Sequence, residues 1–261
     1  ILNACGIVGA FDKGKQIHDD ILARGLLHKN IKLGNALVGM YAKCGMLEKA
    51  QEVHNNLPFR DVVSYSILIA AYVEKGQGHE ALKCFECMQS DGISPDVIIL
   101  ISTVKACGII GSHYKAKRIH SEIANRGLLE KTPVLANALV DMYIKCGLLA
   151  IARKIHFQLL FRDTVSWSAL IAGYAQQGQS NEALACFQQM HTEGISPDMV
   201  TFTCILQACG NIGALDTGVR IHEEVMHRGF LDDEHVVLGS ALVDMYVKCN
   251  ELVRAQKVHD E

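Results

Sequence analysis

The sequence predicts an all-α protein, a right-handed α-solenoid (superhelix) of stacked helix-turn-helix repeats. Apolar residues follow the helical spacing i, i+3, i+4, i+7 in two runs on either side of Gly178. These runs are Trp167, Leu170, Ile171 and Tyr174, followed by Ala183, Leu184, Phe187 and Met190. Two short helices cannot bury two apolar stripes alone, so the hairpin needs neighbours of its own kind. Similar hairpins recur along all 261 residues and supply those neighbours.

A ladder of helix-terminating residues gives the register of the repeats. A helix that ends in the left-handed conformation selects glycine there, with asparagine as second choice. We expect the first helix of each hairpin to end at one of these residues, which are 31 to 37 positions apart: Gly9, Gly45, Gly76, Gly111, Gly147, Gly178, Gly213 and Asn250. Three repeat lengths alternate along the ladder. This alternation favours one continuous array, because no Ser-rich or charged linker interrupts it.

The repeats form a super-period of 102 residues. LGNALVGMYAKCG, which begins at Leu33, reappears as LANALVDMYIKCG at Leu135 and as LGSALVDMYVKCN at Leu238. We therefore divide the array, residues 1–261, into repeats 1–30 (partial), 31–61, 62–96, 97–132, 133–163, 164–198, 199–235 and 236–261 (partial). Because the sequence begins and ends inside a repeat, we expect it to be a piece of a longer protein, without its targeting segment.

Composition limits the partners. The chain has a formal net charge of −3 and a pI near 6.5, so there is no overall basic field and any nucleic-acid site must be local. No apolar run approaches the roughly 20 residues that a membrane span requires, so we expect no membrane partner.

The cysteines and histidines follow the repeat. Cys5, Cys107 and Cys209 are 102 residues apart, which indicates helix-packing residues and free thiols in a reducing compartment. Cys84 and Cys87 form a lone C-x-x-C, whereas zinc requires four ligands, so we expect no metal and no cofactor. The recurring histidines are expected to pack on second helices and bond a neighbour: His18, His120 and His222, and His54, His156 and His259.

These motifs resemble those of pentatricopeptide repeat proteins, specifically the plant organellar type in which three motif lengths alternate. The 35-residue repeats that end in GISPD resemble the P motif, the repeats with ACG and IH resemble the L motif, and those with NALVxMYxKCG resemble the S motif. The resemblance implies binding of single-stranded RNA in chloroplasts or mitochondria, about one base per repeat. The alternating subgroup commonly specifies sites of C-to-U editing, which implies editing-complex protein partners.

The resemblance does not imply an enzyme. The deaminase signature H-x-E…P-C-x-x-C is absent from this sequence. We therefore expect no catalytic residues here, and any editing chemistry would belong to a further C-terminal region or to a partner.

In the resembled family, the fifth and last residues of a repeat read one base together. The matching pairs here are Asn35 with Asp61, Ser66 with Asp96, Ile101 with Thr132, Asn137 with Asp163, Ser168 with Asp198, and Thr203 with Glu234 or His235; Asn30 and Ser240 stand alone in the partial repeats. An ionised Asp only accepts hydrogen bonds, so it should select uracil or guanine, which present an N–H on the Watson–Crick edge. The family pairs Asn with pyrimidines and Ser or Thr with purines, whereas Ile101 cannot bond a base edge. The implied RNA core is 5′-UGNUG-3′.

Two further sets of positions match the family. The second residue of each repeat, which the family uses to sandwich bases, is usually aliphatic: Val63, Ile98, Val134, Val165, Val200 and Val237, with Lys32 departing from the pattern. A phosphate contact is implied for the late first-helix lysines Lys43, Lys145 and Lys248. With three such lysines, we expect moderate affinity that falls with salt.

Simpler explanations exist for each set. The repeat-end Asp residues are also good N-caps for the following helix, and aliphatic residues at helix starts are often packing residues. Capping alone does not explain the accompanying Asn or Ser, so we favour paired recognition. The alternative function is a peptide-binding scaffold of the tetratricopeptide type, but repeats of 31 and 36 residues and the missing W…LG…Y pattern count against it.

Overall fold

A computed structural model describes residues 1–129, 131–159, 162–230 and 236–260. Within these ranges the secondary structure is helical, with no strand. The helices are α1 Leu2–Val8, α2 Phe11–Ala23, α3 Ile31–Lys43, α4 Leu47–Asn55, α5 Val62–Glu74, α6 Gly78–Ser90, α7 Val97–Ile110, α8 His113–Asn125, α9 Pro133–Lys145, α10 Leu149–Gln158, α11 Thr164–Gln176, α12 Ser180–Thr192, α13 Met199–Ile212, α14 Leu215–His227, α15 Val236–Lys248 and α16 Leu252–Asp260, with a 3-10 turn at Leu26–Lys29.

The odd-numbered helices are the first helices of the predicted hairpins. From α3 onward, each begins at the first residue of a predicted repeat. The predicted ladder is confirmed: all seven glycines have positive φ values, and Asn250, with φ 64°, is the one non-glycine residue among those described that shares this conformation. Glycine dominates the ladder because left-handed backbone costs other L-residues energy.

Two compact units make up the chain, residues 1–142 and 143–261, and the division falls inside α9. In the first unit, α1, α3, α5 and α7 pack side by side, and α4 and α6 contact the first helices that follow them. In the second unit, α11, α13 and α15 pack in the same way, with α10, α12 and α14 against the next first helix. Each unit therefore has a layer of first helices and a layer of second helices, with the apolar side chains between them.

The core contains aromatic side chains at recurring repeat positions. Trp167, Tyr65 and Phe85 are among the largest fully buried side chains. Cys5, Cys107 and Cys209 are also buried, which confirms them as packing residues. Burial raises the pKa of the Cys209 thiol to about 12. Within the described residues, no helix combines the length and apolarity needed to cross a bilayer.

The recurring histidines differ in their surroundings. His18 Nδ1 lies 2.9 Å from the hydroxyl of Tyr41, and His222 Nδ1 lies 2.9 Å from that of Tyr246, so the predicted bond to a neighbour is confirmed for both. The prediction is wrong for His54 and His156, whose ring nitrogens are buried without a hydrogen-bond partner. His259 is exposed, so its predicted packing is wrong.

His54 and His156 pack against aromatic rings instead of polar groups. The ring centroids are 4.5 Å apart for His54 and Tyr65 and 4.4 Å apart for His156 and Trp167. Burial, assisted by a nearby arginine, lowers the pKa of each imidazole to about 4. Both histidines are therefore neutral packing groups at ordinary pH.

Candidate nucleic-acid interface

The aspartates at the repeat ends cap the next first helix. Asp61, Asp96, Asp163 and Asp198 each accept a hydrogen bond from the backbone N–H three residues later, at 2.8–2.9 Å. The four aspartates therefore do act as N-caps. Capping also fixes each carboxylate at the start of a first helix.

Two of the predicted pairs are in direct contact. Asn35 Nδ2 donates to both carboxylate oxygens of Asp61, at 3.1 and 3.2 Å. Ser168 Oγ donates to Asp198 Oδ1 at 3.1 Å. In these two repeats the fifth and last residues therefore lie side by side.

The Asn side chains leave an acceptor unused. Asn35 is only 9% exposed, and its Oδ1 is buried without a hydrogen-bond partner, as is Oδ1 of Asn137. A buried polar atom without a partner costs about 1–3 kcal/mol.

The other predicted positions differ. No hydrogen bond joins Ser66 to Asp96 in the part of the chain that the structure describes, and Asn137 and Asp163 lie in different units. Ile101 and Thr132 are half-buried. The hydroxyls of Thr203 and Ser240 donate to their own helices, at Met199 O and Val236 O, both at 2.8 Å. Glu234 and His235 lie outside the described residues.

One groove collects members of all three predicted sets. It has a volume of about 610 Å³, lies along α3 and α5, and is lined by Asn35 and Asp61, by Val63, and by Lys32 and Lys43. It also contains Asn3, Ile67 and Glu74, for which the sequence predicts no role. Glu74 is the thirteenth residue of its repeat, as Lys43 is of the preceding one. The position within the repeat could therefore have identified Glu74 as a residue of this groove.

The aliphatic second residues are solvent-facing. Their exposed fractions run from 52% to 69%: Val63 52%, Ile98 62%, Val134 64%, Val165 69%, Val200 57% and Val237 69%. Residues that served only to pack would be covered. A ladder of exposed aliphatic groups is instead suited to contact the flat faces of bases.

The late lysines are exposed but differ in their neighbours. Lys248 Nζ lies 2.7 Å from a carboxylate oxygen of Asp244 and donates to Asn211 at 3.2 Å. Gly39 stands where Asp244 stands in the last repeat, and Lys43 has no acidic partner among the described residues. Lys43 therefore offers the more available positive charge.

Arginines hold the junctions that carry the capping aspartates. Arg126 Nη1 donates to the carbonyl of Pro95 at 2.9 Å, and Arg228 Nη1 donates to that of Pro197 at 3.1 Å. Each arginine lies at the end of the second helix of the following repeat. Asp96 and Asp198 are therefore held by the cap bond to the helix that follows, and the proline that precedes each of them is held by an arginine.

Among the described residues, no group of three His, Cys, Asp or Glu side chains could hold a metal ion. Cys84 is buried and Cys87 is exposed. The two thiols of the C-x-x-C therefore differ in their access to solvent.

Helical hairpins packed through a repeated layer of first helices define an α-solenoid repeat protein. The PPR repeat family profile matches residues 60–98 and 162–211, and a PPR repeat profile matches residues 35–61. The chain belongs to the pentatricopeptide repeat family.

Similar proteins come from Arabidopsis thaliana. A mitochondrial pentatricopeptide repeat-containing protein is 36% identical over 100% of this chain and 25% of its own length. Two chloroplastic ones are 30% and 33% identical over 98% and 100% of this chain, and over 29% and 42% of their own lengths. The chain thus spans between a quarter and about two-fifths of these relatives.

Solved structures share the fold. The pentatricopeptide repeat protein PPR10 from maize superposes with a TM-score of 0.78 at 20% identity, over 100% of this chain and 37% of that one. PPR10 in complex with an 18-nt psaJ RNA element gives 0.75 at 18% identity, over 95% of this chain and 37% of that one. The predicted α-solenoid class is therefore confirmed.

Proposed function

We propose that this chain is a sequence-specific single-stranded RNA-binding module that reads about one base per repeat. The groove along α3 and α5 carries the proposal, because it places the Asn35–Asp61 pair, the exposed Val63 and the available Lys43 together. These groups suit the edge of a base, its face and a phosphate, respectively. The complex of PPR10 with RNA supports the same class of ligand.

The acceptors in the groove favour particular bases. The Asp61 carboxylate lines the groove and only accepts hydrogen bonds, so a base with a Watson–Crick N–H fits best. Uracil and guanine have that group, and adenine and cytosine present a bare acceptor instead. With Asn for pyrimidines and Ser for purines, the five complete repeats in residues 31–198 would read 5′-UGNUG-3′.

We place this module in the recognition part of an organellar RNA editing (C-to-U) or RNA processing factor of the type with alternating P, L and S motifs. The mitochondrial and chloroplastic relatives support a location in one of these organelles. The module binds RNA without catalysing a reaction. Editing-complex proteins would supply the chemistry, unless a deaminase region of the same protein does.

Titration of labelled RNAs tests this function directly. An RNA that carries UGNUG should bind more tightly than its complement and than a scrambled strand of equal composition. Equal binding of the three strands contradicts the base assignment. Capture of a partner that resists ribonuclease but yields to a competing peptide would instead indicate a tetratricopeptide-like scaffold.

Asp96→Asn should move the preference at the second base from guanine toward adenine. Asp96 can only accept, whereas the Asn amide can donate to adenine N1 and still cap α7. We expect a change of roughly tenfold in the ratio of the two dissociation constants, the size of one good hydrogen bond. Asp12→Asn, an exposed change on a second helix, is the control. An unchanged ratio means that the repeat is assigned to the wrong base.

Lys43→Ala should reduce the salt dependence of RNA binding more than Lys248→Ala does. Each phosphate contact on a single strand contributes about 0.7 to the slope of log K against log salt. No carboxylate forms a salt bridge with Lys43 among the described residues, while Lys248 is already paired with Asp244. Binding measured between 50 and 200 mM salt (roughly the range over which such slopes are resolved) should show the difference. Equal slopes for the two variants would refute the distinction.

A further inference from the structure

Two repeats with the same predicted base-reading pair have different surroundings. Ser66 with Asp96 and Ser168 with Asp198 are one super-period apart, and both pairs are expected to select guanine. The difference comes from the third residue of the following repeat, which is Thr201 in the second case and Ile99 in the first.

Thr201 engages both members of its pair. Its backbone N–H and its hydroxyl donate to Asp198 Oδ1 at 2.8 and 2.7 Å, and its Oγ1 lies 2.6 Å from Ser168 Oγ. Ser168 Oγ also donates to Asp198 Oδ1 at 3.1 Å and lies 2.7 Å from the carbonyl of Thr164. Thr201 is fully buried, and Ser168 is 6% exposed.

This cluster is satisfied without a ligand. Each hydroxyl has one proton to donate, and the two protons find acceptors in Asp198, in Thr164 O or in each other. Three donor atoms lie within 3.1 Å of Asp198 Oδ1, and the backbone N–H and hydroxyl of Thr201 alone fill the roughly two lone-pair sites of a carboxylate oxygen. An N–H of a base must therefore displace an existing hydrogen bond before this oxygen can accept it.

Asp96 is less occupied. Ile99 is buried and donates only its backbone N–H, at 2.9 Å from Asp96 Oδ1, because its side chain has no polar atom. Within the described residues, no side-chain hydroxyl reaches the Asp96 carboxylate. Oδ1 of Asp96 thus keeps acceptor capacity that Oδ1 of Asp198 has already used.

We infer that Thr201 is a third specificity-determining residue, which weakens base discrimination by the 164–198 repeat. The inference deepens the proposed RNA-binding function and rests on it. Guanine over adenine should be discriminated about 5- to 10-fold less well at the fifth base of UGNUG than at the second, which is the size of one charge-assisted hydrogen bond.

A reciprocal exchange tests the inference. Thr201→Val removes the hydroxyl with little change in shape, and Ile99→Thr introduces it at the matching position of the other repeat. Dissociation constants are measured for RNAs with guanine or adenine at the second or the fifth base. Thr201→Val should raise discrimination at the fifth base alone, and Ile99→Thr should lower it at the second base alone.

The ratio of the dissociation constants for the two RNAs separates a change of specificity from a loss of folding, because a general loss of structure weakens the binding of both RNAs equally. Circular dichroism checks that each variant is folded, and the mirrored variant gives a decisive result if one exchange fails to fold. Preserved RNA binding with unchanged ratios in a folded variant overturns the role of Thr201 alone. Failure of the unaltered chain to prefer UGNUG overturns the proposed function and this inference with it.

Discussion

Trp167→Ala is expected to lower the free energy of unfolding by about 3–5 kcal/mol, the usual cost of truncating a large buried aromatic side chain. Trp167 is fully buried on α11, where its ring packs edge-on against His156 and Phe157. Its indole N–H also donates to Glu193 at 3.3 Å, and Arg162 holds the same carboxylate at 2.8 Å. Truncation removes the packing and the donor at once.

Trp167→Tyr provides the matched control. Tyr65 occupies the equivalent position one super-period earlier, and its hydroxyl donates to Asp91 at 2.6 Å. The chain therefore already accepts tyrosine in this environment, and the variant should recover most of the lost stability. Urea unfolding followed by circular dichroism measures both variants. A loss below about 1 kcal/mol for Trp167→Ala would show that the cavity closes and that this ring is not a main support.

Acid is expected to destabilise the fold through two histidines. His54 and His156 have a pKa of about 4 in the folded chain and an ordinary value near 6.5 when exposed. Between these values the unfolded chain binds more protons, so the free energy of unfolding falls as pH falls from 6.5 toward 4. The pKa difference corresponds to about 3 kcal/mol for each histidine. The stability from this source is complete above pH 6.5 and is lost near pH 4.

Urea midpoints measured from pH 7.5 down to pH 4.5 test this prediction. Replacing both histidines with leucine should flatten the profile, because leucine fills the apolar site without titrating. His79→Gln, a change at an exposed histidine, should leave the profile as it was. If the free energy of unfolding of the double leucine variant fell as steeply with pH, other groups would be responsible for the acid sensitivity. Trp167 is the single tryptophan, so its fluorescence reports on the surroundings of His156.

The fold follows from the sequence to an unusual degree because the helix ends are chemically marked. Gly45 and Gly76 stand where the backbone turns left-handed, and apolar spacing defines the helices on either side. The resemblance to pentatricopeptide repeats then pairs Asn35 with Asp61 without knowledge of any contact. Because the hairpins repeat, the helix boundaries read from each local stretch also place every helix within the array.

Some features of the site depend on rotamers, and the sequence does not specify them. A threonine at the third position of a helix can bond its own cap or a neighbouring side chain, and Thr201 does both. The contact between the rings of His54 and Tyr65 likewise depends on the direction of the histidine ring. Glu74 lies in the groove because two first helices pack side by side, a relation that single-helix periodicity does not contain.

The capping role of the aspartates limits what such an array can recognise. Asp61 and Asp198 must satisfy a backbone N–H of the next helix whatever else they contact. Only short polar side chains do so well, and losing the cap costs about 0.5–2 kcal/mol per helix. The need to cap the next helix therefore limits which residue types can stand at the last position of a repeat, whatever nucleotide they contact. Engineering a new specificity here means choosing among Asp, Asn, Ser and Thr, with longer or apolar side chains penalised at every repeat in which they are used.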